Sequence, residues 1–231
     1  NYERITSDEN ELYQKEHELI VNDMIILADN NNIKRIILDD LIEGVESDLK
    51  PKVHLRTVKD LLVYSYKVAG TVGLMMAKIL NVKKGNSLKA AIDLGIAMQL
   101  TNIARDVSED QKKNRRYIDS NFESIKNTLS TAETFYKSSF LSISDISINC
   151  RFAILVARRV YRQIGNNILK KRNIEKYNKS GKIYVSNLGK FFQTILSIFD
   201  FLILLIIKTK GHHREAEHQI INEEINLNER I

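Results

Sequence analysis

The 231-residue chain has no tryptophan, one proline (Pro51), one cysteine (Cys150) and nine glycines. A lone cysteine forbids an internal disulfide, so the fold must rest on its core, and a reducing compartment, the cytoplasm, fits. No histidine–acid arrangement accompanies Cys150, which reads as a small buried residue rather than a nucleophile. The scarcity of proline and glycine leaves little punctuation for a turn-rich architecture. The chain also lacks a basic block. Its 35 Lys and Arg against 29 Asp and Glu give a net charge of +6, spread along the whole sequence. That pattern points to an anionic partner, a phosphorylated metabolite or a membrane surface, and away from nucleic acid. The start, "NYERITSDEN", has no apolar segment of a signal peptide and no initiating methionine, so the chain reads as a fragment or a processed form.

What is abundant is Leu, Ile, Lys, Glu, Asn and Ala, with long stretches at helical period. An all-α fold follows, and the length suits one core. Helices are expected over 8–30, from Ile33 to the stop at Pro51, and over 57–80. "KKGNS" at 83–87 reads as a turn, followed by a helix from about 88 to 111 with a basic exit, "KKNRRY". Further helices are expected near 131–143, 150–170 and 187–208. Gly70 and Gly73, mid-helix, mark a place where another helix or a ligand comes close. The division is one helical domain over 1–208 and a polar C-terminal segment over 209–231, a loosely attached helix or a tail, in which His212, His213 and His218 are solvated. "FFQTILSIFDFLILLIIK" at 191–208 is strongly apolar but interrupted by Asp200, short of the roughly 20 apolar residues of a membrane span. It reads as a buried or interfacial helix. Lys208, Lys210 and Arg214 beyond it favour an anionic lipid surface, and a core helix is equally compatible.

The most informative stretch is "QLTNIARDVSED", residues 99–110. At 100° per residue, Gln99, Asn102, Asp106 and Asp110 fall within an arc of about 80° over three turns. Two carboxylates four residues apart repel each other unless a cation sits between them. Hard Mg²⁺ takes one or two carboxylates plus substrate phosphates. A solvated polar face is the alternative, but the apolar "AAIDLGIAMQL" before the stripe makes this helix central, and a polar stripe there must face something polar. Arg115 and Arg116 just beyond could receive phosphate oxygens, or simply complement the helix dipole.

"QLTNIARDVSED" with "RRY" at 115–117 resembles the second aspartate-rich motif of the squalene and phytoene synthases. "YSYKVAGTVGLMM" at 64–76 is similar to the family's other signature, with Ser65 at its cysteine position. "DLIEGVESDL" at 40–49 and "ARRVYRQIG" at 157–165 resemble further family segments in the expected order. The resemblance, nearest to bacterial phytoene synthases, implies a class I isoprenoid synthase-type helical bundle around a central cavity. It implies head-to-head condensation of two geranylgeranyl diphosphates to phytoene through a cyclopropyl diphosphate, in carotenoid biosynthesis. A squalene- or dehydrosqualene-type reaction on farnesyl diphosphate, or a non-catalytic binding or assembly role, are the alternatives. By the same resemblance Asp106 and Asp110 hold Mg²⁺, with Mn²⁺ as substitute, and Tyr64 acts at the reaction cavity, where otherwise it is a core tyrosine. Gln99, Asn102, Arg105, Arg115 and Tyr117 bind the isoprenoid diphosphate. A lipid-soluble product makes peripheral contact with the inner membrane face reasonable; oligomeric state is left open. The family's first aspartate motif is not found. "DDLIE" at 39–43 imitates it but belongs to a later segment, and Asp119 stands where the family has proline. The expectation is that upstream helices are absent from this sequence.

Overall fold

The computed structural model describes residues 7–207 and 216–231. Helices α1 (Ser7–Asn30) and α2 (Arg35–Ser47) lead to a two-residue strand, β1 (Val53–His54). Then come α3 (Val58–Ser65), a π-helical turn (Tyr66–Gly70) and α4 (Thr71–Ile79), one continuous helical run over most of the expected 57–80. Thr57 starts it with a capping box. Its Oγ1 accepts from Asp60 N (3.0 Å), and Asp60 Oδ2 accepts from Thr57 N (3.1 Å). The π turn was not legible in the hydrophobic period.

The central element is α5 (Gly85–Lys112), 28 residues long and buried along much of its length. It crosses α4 and the π turn through reciprocal glycines. A Cβ on Gly73 would lie 2.2 Å from Ala91 O, and one on Gly95 would lie 2.2 Å from Ala69 O. The close approach expected at Gly73 is real, and Gly95 is its counterpart. After α5, β2 (Arg115–Arg116) pairs in parallel with β1, Val53 opposite Arg115. This tiny sheet brings the α2–α3 connection to the exit of α5.

Helix α6 (Phe122–Phe140) begins nine residues before the expected 131, because Asn121 caps it by accepting from Ser124 N (2.8 Å). A 3₁₀ turn (Leu141–Asp145), α7 (Ile148–Leu169), the short α8 (Ile174–Lys179) and α9 (Asn187–Ile206) follow. Cys150 is only half-buried. Helix α9 packs on α7 but is not a core helix. Only Ser197, Asp200 and Leu204 are buried, and its apolar side faces outward. Asp200 is the reason for that orientation: it turns inward to a forked pair with Arg159 (2.5 and 2.7 Å).

The expected loose tail is corrected where it is described. Residues 216–231 form α10 (Ala216–Glu224) and α11 (Leu227–Arg230), and Ile221, Ile225 and Leu227 join the main core. His218 is buried, its Nε2 3.1 Å from Asp93 Oδ2 and 3.2 Å from Ser138 Oγ, not solvated. Arg230 forms a buried pair with Asp40 (2.7 and 3.1 Å), whose Oδ2 also accepts from Tyr66 Oη (2.8 Å). Sparse apolar residues among many charges hid this docking. The stretch holding His212, His213, Lys208, Lys210 and Arg214 lies outside the described residues.

Candidate active site

A cavity of about 370 Å³ opens between the π turn, α4, α5, the 3₁₀ turn and α7. Its walls are almost wholly apolar or small: Val72, Gly73, Met76, Ala91, Leu94, Gly95, Met98, Ile143, Ile154 and Ala157 among others. Glycine and alanine where helices cross leave the volume that larger side chains would fill. Along α5 the lining runs from Ser87 to Asn102, about 22 Å of helix at 1.5 Å per residue. Gln99 and Asn102 bring polar atoms to one end of it.

The predicted stripe continues past that end but is divided among neighbouring recesses. Asp106 lines a second cavity of about 330 Å³ with Arg105, Tyr177, Gly181 and Lys182. Asp110 lies in a narrow crevice with Arg115 and Tyr117. Burial, and next the charge of Asp106, push the Asp110 carboxyl up to about 6, with Lys113 and Arg115 opposing. The like-charge repulsion expected from the four-residue spacing is therefore present. Asp106 accepts both arms of the Arg105 fork (Nε 2.8 Å, Nη2 2.5 Å), and Lys182 Nζ lies 3.8 Å from Asp106 Oδ1. Arg105 is thus committed to its neighbour rather than held out toward the cavity.

Tyr64 does not line the main cavity. It is buried and stacks on Tyr117, ring centroids 4.9 Å apart, and both hydroxyls donate to Asp48, at 2.7 Å each. Two phenols without water need an acceptor, and Asp48 is the acceptor within reach. Burial, then the bonds to Tyr117 and Asp48, hold the Tyr64 hydroxyl far above its ordinary pKa, so it acts as a neutral donor and never as a phenolate at neutral pH. Arg115 Nη2 donates to Asp48 O (3.2 Å), which ties the same cluster to the exit of α5. Arg116, by contrast, is exposed and pairs with Asp119 (2.5 Å). Asp40, in "DDLIE", is occupied by Arg230 and Tyr66.

Asp48, Tyr177 and Lys182 were not singled out by sequence reasoning. Asp48 acquires its role only through partners 16 and 69 residues away. Tyr177 Oη reaches the carbonyls of Ala104 (3.1 Å) and Arg105 (2.6 Å) and fixes the α5 turn that carries Asp106.

Among the described residues no group of three acidic, histidine or cysteine side chains converges as a metal site. The oxygens present nonetheless fit a hard divalent cation held partly by substrate phosphates. Asn102 Oδ1 is buried with no hydrogen-bond partner. The Asp106–Asp110 repulsion is the kind that a cation relieves.

The sequence pattern of the Squalene/phytoene synthase family matches residues 4–122, just over half of the chain. The chain belongs to the squalene/phytoene synthase family. It is 38% identical over 149 residues to a 15-cis-phytoene synthase of Paracoccus sp., a match covering 57% of this chain and 49% of that protein. A phytoene synthase of Pseudescherichia vulneris is 37% identical, covering 57% and 48%. The chain thus spans about half the length of these family relatives. A solved structure of a dehydrosqualene synthase in complex with ligand superposes with a TM-score of 0.59 at 26% identity, over 73% of this chain and 65% of that one. The helical bundle around its cavity is therefore the isoprenoid synthase fold of this family.

Proposed function

We propose that this chain acts as a phytoene synthase-type prenyl transferase, joining two geranylgeranyl diphosphates head to head. The observation that carries the reading is the junction on α5, where the apolar cavity ends at the buried, unpartnered Oδ1 of Asn102 and the carboxylates of Asp106 and Asp110 follow on the same helix in adjoining recesses. Such a site separates a prenyl chain from its diphosphate. The apolar walls exclude water from an allylic cation, which water would otherwise quench. Lys182 and Arg115 add positive charge near the carboxylates, where leaving-group charge develops. Gln99 and Asn102 orient the head of the chain at the boundary. Tyr64 and Tyr117, clamped by Asp48, hold the α2–α3 connection against the exit of α5 as neutral donors. Asp106, Asp110 and Asn102 would hold Mg²⁺, or Mn²⁺ in its place, and the bound ion neutralises the departing diphosphate.

Asp106→Ala and Asp110→Ala should each lower turnover by at least about 10²-fold, the scale of losing one electrostatic stabiliser, with helical circular dichroism unchanged. Wild-type rates in both would refute the assignment. A farnesyl diphosphate substrate is favoured by the likeness to a dehydrosqualene synthase, and the chain length of the extracted product separates the two. A non-catalytic binding role is favoured by the Arg105 fork already seated on Asp106. A folded protein without turnover of either substrate would establish it.

A further inference from the structure

The main cavity has a direction. Gly73 meets Ala91 O and Gly95 meets Ala69 O, so α4 and the π turn run antiparallel to α5 along it. By the same register Ala77 falls beside Ser87, the α5 residue at the end of the lining opposite Asn102. At the other end stand Gln99 and Asn102, and Asn102 Oδ1 is buried there without a partner.

The end at Ser87 is closed. Ser87 Oγ donates to Asp145 Oδ2 (2.5 Å) and Lys84 Nζ pairs with Asp145 Oδ1 (2.7 Å), which draws the 3₁₀ turn across the start of α5. Ala77, Val82, Ser87, Ser142 and Ile143 form this floor, and all of them are buried. The exposed lining residues, Val72 and Met76, lie midway along the cavity, so it opens at its side rather than at its floor. The Ser87 proton is spent on Asp145, and the floor offers the end of a ligand small, mostly apolar surfaces.

From Ser87 to Asn102 the cavity follows about 22 Å of helix. At about 1.25 Å of advance per carbon–carbon bond, an extended geranylgeranyl chain spans about 19 Å and a farnesyl chain about 14 Å. With its head at Asn102 the longer chain reaches the floor, and the shorter leaves about 5 Å of apolar cavity without contacts. Given the prenyl transferase reading above, we propose that Ala77 and Ser142 set the chain length this site accepts. Their small side chains keep the floor open to the last isoprene unit and so select geranylgeranyl over farnesyl. A leucine at either position would occupy the space of that unit.

The test is isothermal titration calorimetry, with Mg²⁺, of unreactive geranylgeranyl and farnesyl thiolodiphosphates against the protein expressed from its complete reading frame. Ala77→Leu and Ser142→Leu are compared with Ala153→Leu, an exposed α7 position outside the cavity. The unaltered protein should bind the geranylgeranyl analogue at least about tenfold more tightly than the farnesyl one. Each floor variant should lose at least about tenfold for the geranylgeranyl analogue and hold the farnesyl analogue within about twofold. Ala153→Leu should change neither. The two floor positions lie on different elements, and the selectivity of the unaltered protein is a reading that needs no variant to fold. Equal affinity for the two analogues in the unaltered protein would overturn the proposal. Folded floor variants that bind as the unaltered protein does, or that lose both analogues alike, would overturn it too. The expected binding pattern without turnover would sink the prenyl transferase reading and leave the floor standing. Turnover of geranylgeranyl diphosphate undiminished in both floor variants would do the reverse.

Discussion

Asp110→Asn is the perturbation whose consequences can be worked furthest from the geometry. Asp110 ionises at about 6 in the folded protein instead of 3.8, through burial first and the Asp106 charge second. A carboxyl whose folded pKa is raised binds more protons folded than unfolded between those two values. Stability therefore falls as pH rises through that window, and the loss is complete above about pH 6. At about 1.36 kcal/mol per pKa unit the ionised carboxylate would cost roughly 3 kcal/mol, and its half-exposed position reduces this to on the order of 1–2 kcal/mol. The asparagine removes the charge at nearly constant volume. In differential scanning calorimetry without divalent ions, Asp110→Asn should melt roughly 2–8 °C above wild type at pH 8 and together with it below pH 4. Added Mg²⁺ should raise the wild-type melting temperature at pH 8, because a ligand of the folded state stabilises it, and should do less for the variant. A variant that melts at or below wild type at pH 8, and responds equally to Mg²⁺, would refute both the repulsion and its link to cation binding.

Further substitutions probe the frame around the site. Gly95→Ala would push a methyl to 2.2 Å from Ala69 O and should lower stability by at least about 1–3 kcal/mol in urea denaturation. Gly85→Ala, with its nearest neighbour at 3.8 Å, should be neutral or stabilising by the same assay. Asp40→Ala strands the buried Arg230 and should cost about 3–5 kcal/mol, whereas Lys59→Ala, which breaks the exposed bridge to Glu224, should cost under about 1 kcal/mol. Tyr64→Phe leaves the Tyr117–Asp48 bond in place and should cost about 1 kcal/mol in thermal melts.

The α5 stripe was legible because helical period and one apolar run are local facts, and Gln99, Asn102, Asp106 and Asp110 do share one side of one helix. Its division among three recesses was not legible, since α8 and β2 draw those boundaries from elsewhere in the chain. The tyrosine signature marked Tyr64, but nothing local showed that Asp48 would hold it outside the main cavity. The docking of α10 and α11 rests on His218 with Asp93 and on Arg230 with Asp40, pairs 125 and 190 residues apart. No window of local periodicity reaches that far. For α9 the apolar count was visible, but whether it points in or out was decided by Asp200 finding Arg159.

The most direct test of the central claim is turnover of geranylgeranyl diphosphate by the protein expressed from its complete reading frame, with Mg²⁺ present and the products extracted and identified. A C40 hydrocarbon is expected, and its formation is lost in Asp106→Ala. A well-folded protein that releases no product from geranylgeranyl or farnesyl diphosphate would contradict it.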